Sequence, residues 1–427
     1  MTNARTRFKL DPVGSYYAHL RCKKFPISYS ITTYLNEALD TDVLQCAVND
    51  IAARIPTANV GLCRNFWGIY HELLPTPPQI KPASDYSNAC THFVGDGEHL
   101  LRVLYGENFF VLEVAHSVCD GRALSQILKA LIVRYFELHP NHASAHINKS
   151  GIIDCKEPAD PEESEIAWDR YLNAKNSGEA RTTKAKDSDG SERTTKTKTA
   201  KRTYRIQRPE IDDPYVSTQI IDLSTLKPIT KEHGVSINEY LLAQIFTAIA
   251  KERKEQSANK DGKLLPIVAS IPVDVRSFFP SKTLLNFVVD KLVVMPEEQD
   301  FDGILQSIRK QFREVNEDFI TEEVEWVTTG MKMLDYLPGA LQSLAVKAMA
   351  RGESHKATAM FSNLGLIELP PEVKNHVGML EFIIGPDYNM PYCFTCITAG
   401  NVLTLTTTTS VADCAIAERL YEQINKV

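Results

Sequence analysis

The chain has 427 residues, a net charge of −7 and 43% apolar residues, an ordinary globular composition that can bury a large core. The negative charge disfavours nucleic acid as a partner, and no apolar run approaches the roughly 18 to 20 residues of a membrane span. Nine scattered cysteines and an N-terminus without an apolar leader predict a cytoplasmic protein with reduced thiols, which we expect to be a monomer.

The first 175 residues alternate between strand-like and helix-like patterns. Runs rich in apolar, aromatic or β-branched residues predict strands at 27–35, 66–74, 99–105 and 109–115. Apolar residues at i, i+3 and i+4 spacing predict helices at 41–55 and 122–138.

One polar stretch separates the 109–115 strand from the 122–138 helix, and it reads His116-Ser117-Val118-Cys119-Asp120-Gly121. A histidine at a strand end, with an aspartate four residues later and then a glycine, is a candidate for chemistry. A single histidine in such a position is more often structural than catalytic. Its functional interpretation therefore depends on features elsewhere in the chain.

Two sets of residues have spacings that could suit a metal ion. His139, His142 and His146 follow the 122–138 helix, but no carboxylate is spaced with them along the chain, and the segment is typical of a solvated loop. Cys393 and Cys396 form a C-x-x-C in a strand-like run, which places the two thiols on opposite faces. The sequence therefore predicts no metal site.

The segment 176–203 is rich in Lys, Thr, Ser and Gly and contains almost no apolar residues. It cannot bury enough surface to offset the entropy of ordering, so we predict a basic flexible linker. The second half then resumes the mixed pattern, with strands at 216–223, 265–272, 291–295, 379–384, 391–398 and 401–408. Helices are predicted from a capping box at Ser236 onward and at 301–319, 338–350 and 411–426.

Hairpin signals outnumber strand–helix–strand units in both halves, which indicates an α+β fold. We predict an N-terminal lobe at 1–175, the linker at 176–203 and a C-terminal lobe at 204–427. The sequence contains no G-x-G-x-x-G after a strand, no G-x-x-x-x-G-K-[ST], no G-x-S-x-G and no H-E-x-x-H. These absences exclude the common nucleotide-phosphate, serine-hydrolase and zinc-protease motifs.

The stretch from His116 to Gly121 resembles the H-x-x-x-D-G motif of the CoA-dependent acyltransferase superfamily, which includes chloramphenicol acetyltransferase, condensation domains, alcohol acetyltransferases and polyketide-associated acyltransferases. Three later segments resemble that superfamily in order: 236–250; 271–276 followed by 285–287; and 361–365. The likeness covers most of the chain and is greatest to the alcohol acetyltransferase and polyketide-associated branch. The plant D-F-G-W-G element is missing, and segment 176–203 matches no family feature.

The resemblance implies two chloramphenicol-acetyltransferase-like lobes, each a mostly antiparallel mixed sheet with packed helices, and an active-site tunnel between them. It implies that His116 is the general base, while Asp120 points away from the substrate, pairs with Arg276 and holds the loop. Gly121 would allow close backbone approach or a positive φ. Cys119 is expected to pack rather than to act as a nucleophile.

The oxyanion donor is left open, since three polar residues fall in matching segments: Asn286, Ser362 and Asn363. Each of them is equally well explained by turn or cap chemistry.

The implied activity is transfer of an acyl group, expected to be acetyl, from acyl-CoA as co-substrate to the hydroxyl of a small alcohol, with no permanently bound cofactor. One alternative is a free-standing condensation enzyme that takes its acyl group from an acyl carrier protein and uses an amine acceptor. Another is a non-catalytic protein that retains the fold. Separation of Arg276 from Asp120 would favour the latter, because the loop would lack its anchor.

Overall fold

The computed structural model describes residues 6–23, 25–85, 95–142, 147–176, 202–206, 210–257, 264–295, 299–353, 356–386, 390–412 and 414–425. Most of the basic segment 176–203, and His146, lie outside these residues. In the N-terminal part the strands are β1 (Arg7–Phe8), β2 (Ser28–Leu35), β3 (Val60–Asn65), β4 (Gly68–Leu73), β5 (Lys81–Pro82), β6 (Leu101–Tyr105) and β7 (Phe109–Ala115). The later strands are β8 (Glu210–Asp222), β9 (Ile267–Asp274), β10 (Val288–Met295), β11 (Ala359–Leu366), β12 (Val377–Ile384), β13 (Tyr392–Ala399) and β14 (Val402–Val411).

The helices pack on these strands. They are α1 (Pro12–Leu20), α2 (Thr41–Arg54), α3 (Gly121–Leu138), α4 (Ala167–Asn176), α5 (Leu223–Glu232), α6 (Ile237–Ser257), α7 (Phe301–Arg313), α8 (Glu317–Leu334), α9 (Gly339–Glu353), α10 (Pro371–Lys374) and α11 (Ala415–Asn425). None of the helices in the described parts of the chain is long and apolar enough to cross a membrane.

The described strands form two large sheets and a small one. The N-terminal sheet has the order β12-β2-β7-β6-β5, the C-terminal sheet β10-β9-β11-β13-β14-β8, and the small sheet β1-β4-β3. Most neighbours are antiparallel, whereas β5/β6, β9/β11 and β11/β13 are parallel. The predicted α+β, two-lobe architecture is confirmed, while the tunnel between the lobes stays a prediction.

One strand does not follow the order of the chain. β12 lies within the segment predicted as the C-terminal lobe, yet it pairs antiparallel with β2 of the N-terminal sheet. It also contacts the C-terminal sheet, where the Thr404 hydroxyl donates to the Leu380 carbonyl at 2.8 Å. The C-terminal part thus contributes a strand to the N-terminal sheet. The predicted lobes at 1–175 and 204–427 did not include this exchange.

Each sheet has its own apolar core. The N-terminal core lies between α3, α2 and the N-terminal sheet, and the C-terminal core surrounds α6. A third cluster, which includes Trp168, Val275 and Phe287, lies beside the residues that approach His116. This arrangement explains the i, i+3, i+4 spacing of α3, since one face of that helix is almost fully buried.

Most predicted elements are present, and the capping box at Ser236 is confirmed: Ser236 N–H donates to Glu239 Oε2 at 2.6 Å and Glu239 N–H to Ser236 Oγ at 3.2 Å. Two helix predictions were wrong in part, and several elements were not predicted, among them the helices α1, α4 and α5. The strand predicted at 66–74 is confirmed as β4, but its hairpin partner β3 was not predicted. The Asn65 side chain turns this hairpin by accepting from the N–H groups of Trp67 and Gly68.

The two wrong predictions concern helix boundaries. The helix predicted at 301–319 is two helices, because the Asn316 side chain caps α8 by accepting from Phe319 N–H at 2.9 Å. The helix predicted at 411–426 begins only at Ala415, because β14 continues to Val411. The predicted hairpin between β13 and β14 is confirmed, and Gly400 adopts φ 58° in its turn.

Candidate active site

His116 lies directly after β7, in the short loop that leads into α3. Its backbone N–H donates to the carbonyl of Ile27 at 2.9 Å. Ile27 has φ 52°, a left-handed conformation that is unfavourable for a β-branched residue. His116 is partly exposed, while the four residues that follow it are buried. His116 is therefore the one titratable residue of this loop that solvent reaches.

A chain of hydrogen bonds connects His116 to two distant residues. His116 Nδ1 lies 3.1 Å from Asn286 Oδ1, and Asn286 Nδ2 donates to Asp11 Oδ2 at 3.0 Å. Because the amide nitrogen of Asn286 is directed at a carboxylate, its oxygen must face His116. Nδ1 is therefore the protonated nitrogen of the neutral imidazole, and Nε2 carries the lone pair.

Asp11 reaches this position as the N-cap of α1. Its Oδ1 accepts from Gly14 N–H at 2.7 Å, while Oδ2 accepts from the side chain and the backbone N–H of Asn286. α1 lies close against the His116 loop, since a Cβ added to Gly14 would be 2.6 Å from the Ser117 carbonyl oxygen. Asp11 was missed from the sequence, although Asp followed by Pro is a signal for a helix start.

Burial shifts the pKa of the two titratable groups at the ends of this chain. It lowers the pKa of His116 below its ordinary value, although Asp120, Asn286 and nearby backbone carbonyls oppose the shift. It raises the pKa of Asp11 to about 6, against the lowering effect of its bonds from Gly14 and Asn286. Near neutral pH the imidazole is therefore neutral and the carboxylate charged.

Asp120 points away from His116 and has three partners. Its Oδ1 caps α3 by accepting from Ala123 N–H at 2.9 Å. Its Oδ2 accepts from Arg276 Nη1 at 2.8 Å and from Phe287 N–H at 2.8 Å. The predicted pair of Asp120 and Arg276 is thus present in the structure and joins the two lobes.

Arg276 organises the segment that carries Asn286. Its guanidinium also donates to Asp274 Oδ1 at 2.9 Å, to the Thr283 carbonyl at 3.0 Å and to the Leu285 carbonyl at 2.7 Å. Burial alone would lower the pKa of Arg276, but Asp120 and Asp274 outweigh it and raise the pKa above its usual value. The ion pair therefore fixes the backbone on both sides of Asn286, which in turn contacts His116.

The structure assigns Asn286 a different place from the one expected. Asn286 is 0% exposed, and its side chain lies between Asp11 and His116. Its amide nitrogen is directed at Asp11, and the oxyanion or substrate contact expected of it stays a prediction. Its contacts fit a positioning residue for the imidazole. The sequence could not show this, because the contact with Asp11 spans 275 positions.

The remaining candidates lie on or beside β11. Ser362 is buried, and Asn363 is partly exposed and donates to Asn238 Oδ1 at 3.3 Å. Gly121 packs tightly against this strand, since an added Cβ would lie 2.6 Å from Leu364 Cδ2. Its φ is not positive, and the close neighbour is the end of a side chain rather than backbone.

Aromatic rings and Cys119 complete the surroundings of His116. The imidazole packs against Tyr17 at 4.3 Å and Tyr29 at 4.9 Å between ring centroids. The Tyr29 hydroxyl donates to the Cys119 carbonyl at 2.8 Å. Burial raises the pKa of the Cys119 thiol to about 12, and the side chain is 0% exposed. Such a thiol is a packing group and not a nucleophile.

No family model matches the sequence, and no curated protein matches it at a significant level. Solved structures do match over the whole chain. Polyketide synthase associated protein 5 from Mycobacterium tuberculosis is 13% identical, with a TM-score of 0.59 over 99% of this chain and 98% of that chain. A trichothecene 15-O-acetyltransferase from Fusarium sporotrichioides is 11% identical, with a TM-score of 0.59 over 99% and 93%.

A condensation domain also matches over the whole chain. The first condensation domain of the calcium-dependent antibiotic synthetase is 13% identical, with a TM-score of 0.56 over 99% of this chain and 95% of that chain. Identities this low establish a shared fold and leave the activity to the site residues. The chain therefore has the two-lobe α+β fold that these three solved structures share.

Proposed function

We propose that the protein is an acyltransferase that moves an acyl group, most simply acetyl, from a CoA thioester to the hydroxyl of a small alcohol. The observation that carries the proposal is the chain Asp11–Asn286–His116, which leaves Nε2 of a neutral imidazole as the basic atom. An alcohol is too weak an acid to attack as an alkoxide near neutral pH. A base that accepts its proton during attack typically accelerates the reaction by about 10² to 10⁴.

The proposed reaction is a direct transfer. The acceptor hydroxyl donates a hydrogen bond to His116 Nε2, and its oxygen attacks the thioester carbonyl carbon while the proton moves to Nε2. The tetrahedral intermediate then collapses, the carbon–sulfur bond breaks, and the imidazolium returns the proton to the departing sulfur. The products are an ester and free CoA. The imidazolium donates from Nδ1 to Asn286, and the negative charge of Asp11 lies one hydrogen bond beyond.

This reaction needs no covalent intermediate on the protein. Cys119, the thiol nearest to His116 in the sequence, is buried and keeps its proton because burial raises its pKa. Its backbone carbonyl holds Tyr29 in place. Direct attack by the acceptor therefore fits the site better than an acyl-cysteine.

The reaction also requires a donor to the oxyanion of the tetrahedral intermediate. With Asn286 occupied, Ser362 and Asn363 remain the proposed donors. They lie on β11, the strand that packs against Gly121 at the start of α3. One lost donor of this kind would reduce the rate by about 10² to 10³.

The experiment is a thiol-release assay with acetyl-CoA and a panel of small alcohols. We expect free CoA to appear only when an accepted alcohol is present, and His116→Ala to lower the rate by at least about 100-fold. His233→Ala is a matched control, since His233 is a partly exposed histidine beside a carboxylate, Asp302, at 3.7 Å. Full activity in His116→Ala would overturn the assignment of the base.

A second candidate function is condensation with a carrier-bound acyl donor and an amine acceptor. It is supported by the match to a condensation domain at the same identity as the polyketide-associated protein. An acyl group loaded on a carrier protein, offered with amine acceptors, tests it. Turnover with the carrier and none with acyl-CoA would favour this candidate over the first.

The third possibility, a non-catalytic protein, predicts no turnover with either donor. The ion pair of Arg276 and Asp120 disfavours it, because the loop that carries His116 keeps its anchor.

A further inference from the structure

Glu37, His142 and His376 come together at the surface of the N-terminal lobe, and we call them the histidine–glutamate cluster. Glu37 Oε1 lies 3.1 Å from His142 Nε2 and 3.1 Å from His376 Nδ1. One ligand atom from each residue lies within 4.8 Å of both others. All three side chains are partly exposed, so an ion from solvent can reach them.

The imidazoles of His142 and His376 pack against the same buried aromatic ring. Phe136, a fully buried residue of α3, contacts the ring of His142 at 5.2 Å and the ring of His376 at 5.1 Å between centroids. The two imidazoles also contact each other at 4.3 Å. Packing against one buried ring restricts both side chains before any ligand binds, which lowers the entropy lost on binding.

Glu37 and His376 are further held by the backbone between them. Asn36 N–H donates to the His376 carbonyl at 2.9 Å, and the Asn36 side chain donates to the Asn375 carbonyl at 2.8 Å. Gly378 also lies beside this side chain, since an added Cβ would be 2.6 Å from Asn36 Oδ1. The segment before β12 is therefore anchored directly beside Glu37.

We propose that the histidine–glutamate cluster binds Zn²⁺. Zinc bonds of about 2.0 to 2.2 Å to nitrogen and oxygen in a tetrahedron place neighbouring ligand atoms about 3.3 to 3.5 Å apart. The two distances from Glu37 Oε1, both 3.1 Å, are close to that value. The ligand atoms of His142 and His376 lie within 4.8 Å of each other, so an approach of at most about 1.5 Å would complete three corners, and water would take the fourth.

The donor set selects the kind of metal. Two imidazoles and one carboxylate suit Zn²⁺ and other first-row transition metals, of which we propose Zn²⁺, whereas Mg²⁺ and Ca²⁺ require mostly oxygen ligands.

The positions of the ligands give the ion a structural role. Glu37 follows β2, His142 follows α3, and His376 directly precedes β12, the strand that the C-terminal part adds beside β2. Zinc would fasten these three segments together and hold that strand in the N-terminal sheet. This role is independent of acyl transfer, so the proposal does not rest on the proposed function.

The test is calorimetric titration of Zn²⁺ into the full chain after chelator treatment, together with thermal unfolding with and without the ion. We expect one zinc per chain and a higher Tm in its presence, because binding to the folded state alone stabilises it. Mg²⁺ and Ca²⁺ should produce neither effect.

Variants identify the ligands. His142→Ala and His376→Ala should each weaken binding at least about tenfold, since even changes outside the ligand set cost about 10- to 100-fold. Glu37→Gln should weaken binding while it preserves the size of the side chain. His233→Ala is the matched control and should bind like the parent chain. Substitution of Co²⁺ for Zn²⁺ should give a spectrum without thiolate-to-metal charge transfer, which separates this site from cysteine sites.

Three outcomes would overturn the proposal. The first is no zinc binding to folded chain, in which case Glu37 only accepts hydrogen bonds from two imidazoles. The second is undiminished binding in both histidine variants, and the third is a cobalt spectrum dominated by thiolate ligation.

Discussion

Asp120 Oδ2 accepts from Arg276 Nη1 at 2.8 Å across 156 positions of the sequence, and the two side chains are only 4% and 10% exposed. The same oxygen accepts from Phe287 N–H, next to Asn286. A residue of the H-x-x-x-D-G loop thus controls the position of the amide that contacts His116. Asp120 therefore positions the imidazole indirectly, through the segment of the other lobe that carries Asn286.

The first prediction concerns this pair. Arg276→Met leaves a buried carboxylate without its partner, so we expect the free energy of unfolding to fall by about 3 to 5 kcal/mol. Urea denaturation measures the change. In the control Lys332→Met, which removes a half-exposed pair with Asp169, the loss should stay below about 1 kcal/mol. Equal losses of unfolding free energy in the two variants would show that the buried pair contributes no more to stability than the exposed one.

The second prediction concerns Asn286 as a positioning residue. Asn286→Ala removes the acceptor that holds Nδ1–H of His116, so we expect kcat to fall by about 10- to 100-fold while KM changes little. Steady-state kinetics on folded protein separates the two constants. A purely structural role would reduce the yield of folded protein and leave kcat of the folded fraction intact.

The third prediction is a pH dependence. Because burial raises the pKa of Asp11 to about 6, its carboxylate gains a proton as the pH falls through 6, and the imidazolium loses the nearby negative charge. We expect kcat to be constant near pH 7 to 8 and to fall below about pH 6. In Asp11→Asn we expect a lower kcat at pH 7 to 8. The fall in kcat near pH 6 should disappear, and only the fall caused by protonation of His116 should remain. An unchanged profile in this variant would contradict the role of Asp11.

The fourth prediction compares two glycines. In Gly14→Ala the new Cβ meets the Ser117 carbonyl oxygen at 2.6 Å, so α1 must move away from the His116 loop. We expect a loss of about 1 to 3 kcal/mol in the free energy of unfolding, together with reduced activity. Gly330 in α8 has nothing within 4 Å of an added Cβ, so Gly330→Ala should stabilise the protein by about 0.5 to 1 kcal/mol. Thermal and urea unfolding distinguish the two outcomes.

The fifth prediction concerns His71 in β4, which is 2% exposed. Burial and the charge of Arg21 lower its pKa to about 3 in the folded state, while the unfolded chain keeps an ordinary value near 6.5. Below pH 6.5 the unfolded state therefore binds more protons, and stability falls by up to about 1.4 kcal/mol per pH unit towards pH 3. His71→Leu should flatten this part of the stability curve, and the difference between the two chains isolates His71. Parallel curves of stability against pH for the parent chain and His71→Leu would contradict this role of His71.

The local features of this protein could be read from its sequence. The strands 109–115 and 391–398, the helix from 122 to 138 and the capping box at Ser236 follow from periodicity and hydrogen bonds within a few residues. One error arose where a single polar side chain changed a local structure, because Asn316 caps α8 and the helical pattern continued across it.

The composition of the candidate site depended on tertiary structure. The sequence by itself determined where His116 lies, at a strand end before a buried helix, and resemblance supplied Asp120 and Arg276 as a pair. Only the fold brought Asp11 to Asn286 across 275 positions and placed β12 beside β2, with His376 next to Glu37. Periodicity reports which face of an element is buried, whereas the partner across a sheet or loop is decided by how the two lobes pack.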